Sequence, residues 1–236
     1  MLPAILMEFE GVLACTANAR RDALCAALAV DGVEFSGAAF DEHCAGLGVR
    51  DAVAAAVRAA GAPLDAVAVD LATLRAERGF AERFGKGTLL AAGAREFVER
   101  AHGAAPLALV TRASRREVDF ALRLSGLLPA FECVVTADDV RAPKPDPAGH
   151  AVALERLARK RAPTAPRRDA IALEDAAPGI AAAHAAGLRC VAVGAVPAYL
   201  AVAADAYVLS LDAHTPQSIA RLAATHGEDR VTHEQH

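Results

Sequence analysis

Short runs of consecutive apolar residues alternate along the chain with longer stretches of helical period. The strand-length runs are Ala4–Phe9, Leu107–Thr111, Cys133–Thr136, Ala170–Leu173, Cys190–Val193 and Tyr207–Leu209. Their Val, Ile and Leu fall on successive positions instead of every second one. Parallel strands covered on both faces read this way. Between them the apolar spacing predicts helices over Gly93–Ala101, Ser114–Ser125, Ala148–Arg161, Gly179–Ala186 and Ser218–Ala224. Ser114 is a good N-cap, and Gly126 and Gly187 sit where helices should stop. Strand–helix alternation of this kind predicts an open parallel α/β sheet joined by right-handed crossovers.

One interval breaks the alternation. From Thr16 to about Gly87 the pattern is helical only, over Ala17–Ala29, Ala38–Cys44, Asp51–Ala60 and Leu64–Phe84. A crossover between parallel strands needs a dozen or so residues, and about 70 intervene here. The expected organisation is therefore a Rossmann-like core domain at 1–15 and 88–228, an inserted all-helical cap domain at 16–87, and a polar tail at 229–236. Hinges are expected after Leu13 and around Gly85–Gly87.

Composition adds limits. At 236 residues the chain can bury a sizeable core without disulfides or a structural metal. Alanine is about a quarter of the chain, which favours helix. The net charge of −4 gives no basic footprint, so no nucleic-acid partner is expected. The five cysteines are scattered and form no CxxC pair, which suits a reducing, cytoplasmic setting. The start, MLPAILMEFE, lacks the basic region of a signal peptide. The longest apolar stretch, Cys190–Ala204, is too short to span a bilayer and holds Gly194 and Pro197, so no membrane segment is expected.

Ligands of open α/β sheets bind outside the carboxyl ends of the strands. The residues just past those ends are Glu8, Glu10 and Gly11 after the first strand, and Thr111, then Arg112 and Ser114, after the second. Lys144 lies between prolines ahead of the fourth, and Glu174-Asp175 follows it. Paired acids, a hydroxyl and a lysine on one edge suit a phosphate ester bound through Mg²⁺, a hard cation that prefers oxygen ligands. Phosphoryl transfer is largely positioning and charge stabilisation, and a carboxylate can serve as its nucleophile.

Four segments then carry a family resemblance over nearly the whole chain. MEFEGVLACT resembles the FDxDGVLxDT motif of the haloacid dehalogenase superfamily. LVTRAS resembles its second motif, RAPKPDP the third, and ALEDAAPGIAAAHAAGL the fourth, in matching order and spacing. The branch resembled is that of small phosphatases and β-phosphoglucomutase-like enzymes with a helical cap. The resemblance implies Glu8 as nucleophile, Glu10 as general acid/base, and Thr111 and Lys144 as phosphate-binding catalytic groups. It implies Mg²⁺ held by Glu8, Glu10, Glu174 and Asp175. It implies substrate contacts at Gly11, Arg50, Thr111, Arg112, Ala113 and Lys144, with Arg50 in the cap segment AGLGVRDAV.

The departures are local. Both first-motif aspartates are glutamates, which pushes each carboxylate out by more than ~1 Å, a displacement that can cost on the order of 10²-fold in rate. Cys15 stands where the family often has Asp, and Arg20 where the mutase branch usually has His. The expected function is an Mg²⁺-dependent phosphatase acting on a small phosphorylated metabolite. A relative that binds metal and phosphate without efficient turnover, a phosphomutase, and a receiver-like module are the alternatives. Arg75 and Arg78 read as surface charges. His43, His102, His150 and His184 lack ligand spacing and read as surface or packing residues.

Overall fold

The computed structural model describes residues 2–44, 47–85, 89–160 and 170–231. Six strands form one parallel sheet: β1 (Ile5–Met7), β2 (Leu107–Val110), β3 (Cys133–Val135), β4 (Ile171–Glu174), β5 (Arg189–Val193) and β6 (Ala206–Val208). The helices are α1 (Ala17–Ala29), α2 (Gly37–His43), α3 (Val49–Ala59), α4 (Ala66–Gly85), α5 (Ala94–Ala101), α6 (Arg115–Ser125), α7 (Ala148–Lys160), α8 (Ala177–Ala185), α9 (Ala198–Ala203) and α10 (Pro216–Val231). No described helix is long and apolar enough to cross a membrane.

The chain divides into two compact units: Met1–Ala14, Leu90–Thr111 and Gly126–His236 hold the sheet, and Cys15–Leu89 with Arg112–Ser125 are helical. Helix α6, expected with residues 88–228, groups with the helical segment. Of the expected hinge around Gly85–Gly87, Gly85 ends α4, while Lys86 and Gly87 lie outside the described residues. Ala45, Gly46 and Arg161 also lie outside them. The tail expected from residue 229 begins as helix, since α10 reaches Val231, and 232–236 lie outside the described residues.

The strand order is β3-β2-β1-β4-β5-β6. The first three strands build outward from β1 in one direction, and the chain then returns to the other side of β1 to add β4. The gap between the tips of β1 and β4 is therefore the topological switch point, where open α/β sheets place ligands. Pairing fixes the register. Leu6 stands beside Ala108 on one side and Ala172 on the other. That row packs with Val110, Val135, Ala153, Leu157 and Ile180 in one buried cluster. Ile5 and Met7 point to the opposite face, as the pleat requires, and are fully buried as well. Burial on both faces is the physical reason for the unbroken apolar runs.

The helical unit has its own core, in which Leu24 and Leu28 of α1, Phe40 of α2, Val53 and Val57 of α3, and Val69, Ala72 and Ala76 of α4 meet. Arg75 is part of this construction and not a plain surface charge. Its guanidinium forks onto Asp31 at 2.6 and 3.2 Å and donates to Ala27 O at 3.1 Å, near the carboxyl end of α1. Arg78 is exposed, paired with Glu82 one turn on.

Candidate active site

The site grows from the end of β1. Glu8 continues the ladder by one residue, its N–H donating to Leu173 O at 2.9 Å. The chain then turns: the N–H groups of Leu13 and Ala14 return to Phe9 O, and Gly11 adopts φ +74°. Glycine is required at position 11 twice over. The left-handed backbone favours it, and a Cβ there would sit 2.2 Å from Asp175 Oδ2. The first-motif turn and the acid after β4 are thus packed against each other.

Lys144 is the centre of the cluster. Its side chain is 5% exposed and its Nζ has three acceptors. It donates to Glu8 Oε2, to Glu174 Oε1 at 2.6 Å and to Val110 O at 2.9 Å. The Thr111 hydroxyl and the Phe9 N–H also serve the Glu8 carboxylate, the latter at 2.7 Å on Oε1. Burial pushes the Glu8 carboxyl up, but the Lys144 charge and these hydrogen bonds outweigh it and hold it below the usual carboxylate range. Burial likewise pulls Lys144 down, and the charges of Glu174 and Glu8 more than restore it, leaving its pKa raised.

Glu174 is the most enclosed acid. Besides Lys144, its Oε1 meets His150 Nε2 at 3.1 Å. Its other oxygen, Oε2, lies against the first turn of α8, where a Cβ on Gly179 would come within 1.9 Å. Asp175 is half-buried. Burial, then the charges of Glu8, Glu174 and Glu10, push its pKa up to about 7. Four carboxylates against one ammonium leave surplus negative charge on hard oxygen donors, which is the chemistry of a Mg²⁺ site. Among the described residues no three acids, histidines or cysteines are gathered as a ready-made metal shell. That is compatible with Mg²⁺, which is commonly held by one or two carboxylates and keeps several waters.

The structure therefore brings Glu8, Glu10, Gly11, Thr111, Lys144, Glu174 and Asp175 to one edge of the sheet unit. Arg50, Arg112 and Ala113 belong to the helical unit. There Arg50 is exposed and pairs with Asp70 at 2.9 Å. Arg20 pairs with the buried Glu117 at 2.9 Å and lies 5.7 Å from the Phe80 ring centre. Two of the four histidines carry more than packing. His184 meets Asp205 at 3.0 Å, and His150 is fully buried on Glu174 with its Nδ1 lacking any hydrogen-bond partner. A signal for His150 existed in the sequence: it lies six residues past Lys144, on the first turn of α7.

The fold and rim together define a class, an α/β protein whose switch-point site sets carboxylates around a buried lysine. The chain belongs to the haloacid dehalogenase-like hydrolases, whose family model matches residues 3–187. It is similar to the protein CbbY of Rhodobacter capsulatus, 29% identical over 198 residues, covering 80% of this chain and 84% of that protein. It is also similar to the validoxylamine A 7'-phosphate phosphatase of Streptomyces hygroscopicus subsp. limoneus. That match is 40% identical over 86 residues, covering 36% of this chain and only 38% of that enzyme. The crystal structure of CbbY from Rhodobacter sphaeroides in complex with phosphate has a TM-score of 0.77 at 26% identity, covering 91% of this chain and 97% of that one.

Proposed function

We propose that this chain is a Mg²⁺-dependent phosphoric monoester hydrolase acting on a small phosphorylated metabolite. The observation that carries the reading is the convergence of Glu8, Thr111 and Lys144 on one point beside Asp175 at the switch of the sheet. Glu8 attacks phosphorus, the bond to the ester oxygen breaks, and Glu10 gives the leaving oxygen a proton. The acyl-phosphate on Glu8 is then cleaved by water, Glu10 taking the proton, and inorganic phosphate leaves. Thr111 and Lys144 hold the phosphoryl oxygens throughout. Mg²⁺ would be held by Glu8, Glu10, Asp175 and Glu174, and when bound it supplies positive charge to the phosphoryl oxygens.

The helical unit is read as the cap that chooses the substrate, with Arg50, Arg112 and Ala113 as its contacts. The chemistry of Arg20 favours a phosphatase over a phosphomutase. Arg20 stands where the mutase branch usually has His, and its guanidinium is engaged with Glu117 at 2.9 Å. The five free thiols suit the cytoplasm.

The test is phosphate release from p-nitrophenyl phosphate and a panel of sugar phosphates, dependent on Mg²⁺ and abolished by Glu8→Gln. No turnover across a broad panel overturns it. A second reading, a relative that binds metal and phosphate without efficient turnover, is favoured by the full set of donors on Glu8. A beryllium fluoride adduct trapped on Glu8 would eliminate that alternative.

A further inference from the structure

We infer that Glu8 is the resident anion of its own site: its carboxylate fills the oxyanion cradle made by the Phe9 and Glu10 N–H groups, the Thr111 hydroxyl and the Lys144 ammonium, so that residue 8 competes with a phosphoryl group for those donors. The inference rests on the reading of this rim as a phosphate site.

The donors converge on both oxygens. Oε1 accepts from Phe9 N–H at 2.7 Å and lies 3.4 Å from the Glu10 nitrogen. Oε2 accepts from Lys144, and the Thr111 hydroxyl completes the set. Successive backbone N–H groups, a hydroxyl and an ammonium are the donors a phosphoryl oxyanion requires. Here a side chain of the same charge sign has them.

Chain length explains why. The backbone at position 8 has no freedom to retreat. It follows a strand paired in register on both sides, and its own N–H is bonded to Leu173 O at 2.9 Å. The additional methylene of glutamate therefore appears as reach, and the carboxylate is carried more than ~1 Å further than an aspartate would carry it. The longer side chain ends among the donors, where it is 7% exposed. Attack by Glu8 on a substrate then requires the carboxylate to leave the cradle first.

A ligand that binds only the open cradle has its apparent affinity reduced by the fraction of molecules that are open. If a tenth or fewer are open, the dissociation constant for phosphate is raised about tenfold or more. The experiment is calorimetric titration of the full chain with inorganic phosphate in Mg²⁺ buffer, comparing the unaltered protein with Glu8→Asp and Glu8→Ala. Both variants are expected to bind phosphate at least about tenfold more tightly, and Thr111→Val on top of Glu8→Asp to remove the gain. Equal or weaker binding by the variants overturns the inference and leaves the phosphate-site reading standing. No binding by any of them at millimolar phosphate overturns both. Should the variants fail to fold, the unaltered protein supplies the answer by NMR. Saturating phosphate is expected to shift the Glu8 carboxylate carbon resonance, and an unmoved resonance overturns the inference.

Discussion

Replacing Lys144 by methionine, a side chain of similar length without charge, tests the electrostatic account of the site. The substitution removes three hydrogen bonds at once, to Glu8, to Val110 O and to Glu174. It also strands two carboxylates whose side chains are 7% and 1% exposed. Removing one partner of a buried ion pair costs about 3–5 kcal/mol, because the remaining charge is left without compensation. In a chain of this size that lowers the melting temperature by roughly 6–20 °C. The sign of the pH dependence follows from the two shifts. In the unaltered protein the Glu8 pKa is lowered. Its contribution is present above its unfolded pKa of ~4.3 and is lost as pH falls through the folded value. The Lys144 pKa is raised. Its contribution is present below ~10.4 and is lost as pH rises through the folded value. Without Lys144, burial dominates at Glu8 and raises its pKa, so the variant loses stability as pH rises above ~4.3. The loss relative to the unaltered protein is therefore larger at pH 8 than at pH 5. The chain has no tryptophan, so urea unfolding followed by far-UV circular dichroism is the suitable assay. Adding Glu174→Gln to Lys144→Met should recover at least about 1 kcal/mol by neutralising one stranded charge. A loss below about 1 kcal/mol, or one identical at the two pH values, refutes the reasoning.

Other outcomes follow from the same geometry. Gly179→Ala drives a methyl to within 1.9 Å of Glu174 Oε2; it should destabilise by about 1–3 kcal/mol, as overpacking does, and a melting curve matching the unaltered protein contradicts it. The Asp175 carboxyl, pushed up to about 7, makes the protein in chelator lose stability as pH rises from ~4 toward neutrality. Asp175→Asn should then raise the melting temperature at pH 8, and by clearly less at pH 5. Arg20→Met leaves the buried Glu117 without its 2.9 Å partner, so it should destabilise by about 3–5 kcal/mol at pH 8 and less at pH 5. Arg50→Ala removes only an exposed pair and should change stability by less than ~1 kcal/mol. If Arg50 meets substrate, the same variant raises KM while leaving kcat nearly unchanged.

Much of the sheet is legible in the chain because strands buried on both faces must be apolar at every position. All six expected strands lie within two residues of the observed ones at each end. The helical run from residue 17 was equally readable from its period. Helix α9 was not, because Ala198–Ala203 lies inside a longer apolar stretch with no amphipathic period of its own. Nor was the continuation of α10 to Val231, whose polar residues read as tail. The acids, the threonine and the lysine were legible because each stands at a strand end or a proline-flanked turn.

By itself the sequence determined which segments are strands, which are helices, and which polar residues stand at their ends, since these depend on local period and composition. Only the tertiary structure decided that β4 returns beside β1, that Lys144 sits between Glu8 and Glu174, and that His150 closes over Glu174. It alone showed where the extra methylene of Glu8 goes. Those facts depend on positions far apart in the chain, and a pattern with a period of two or four residues contains no information about them.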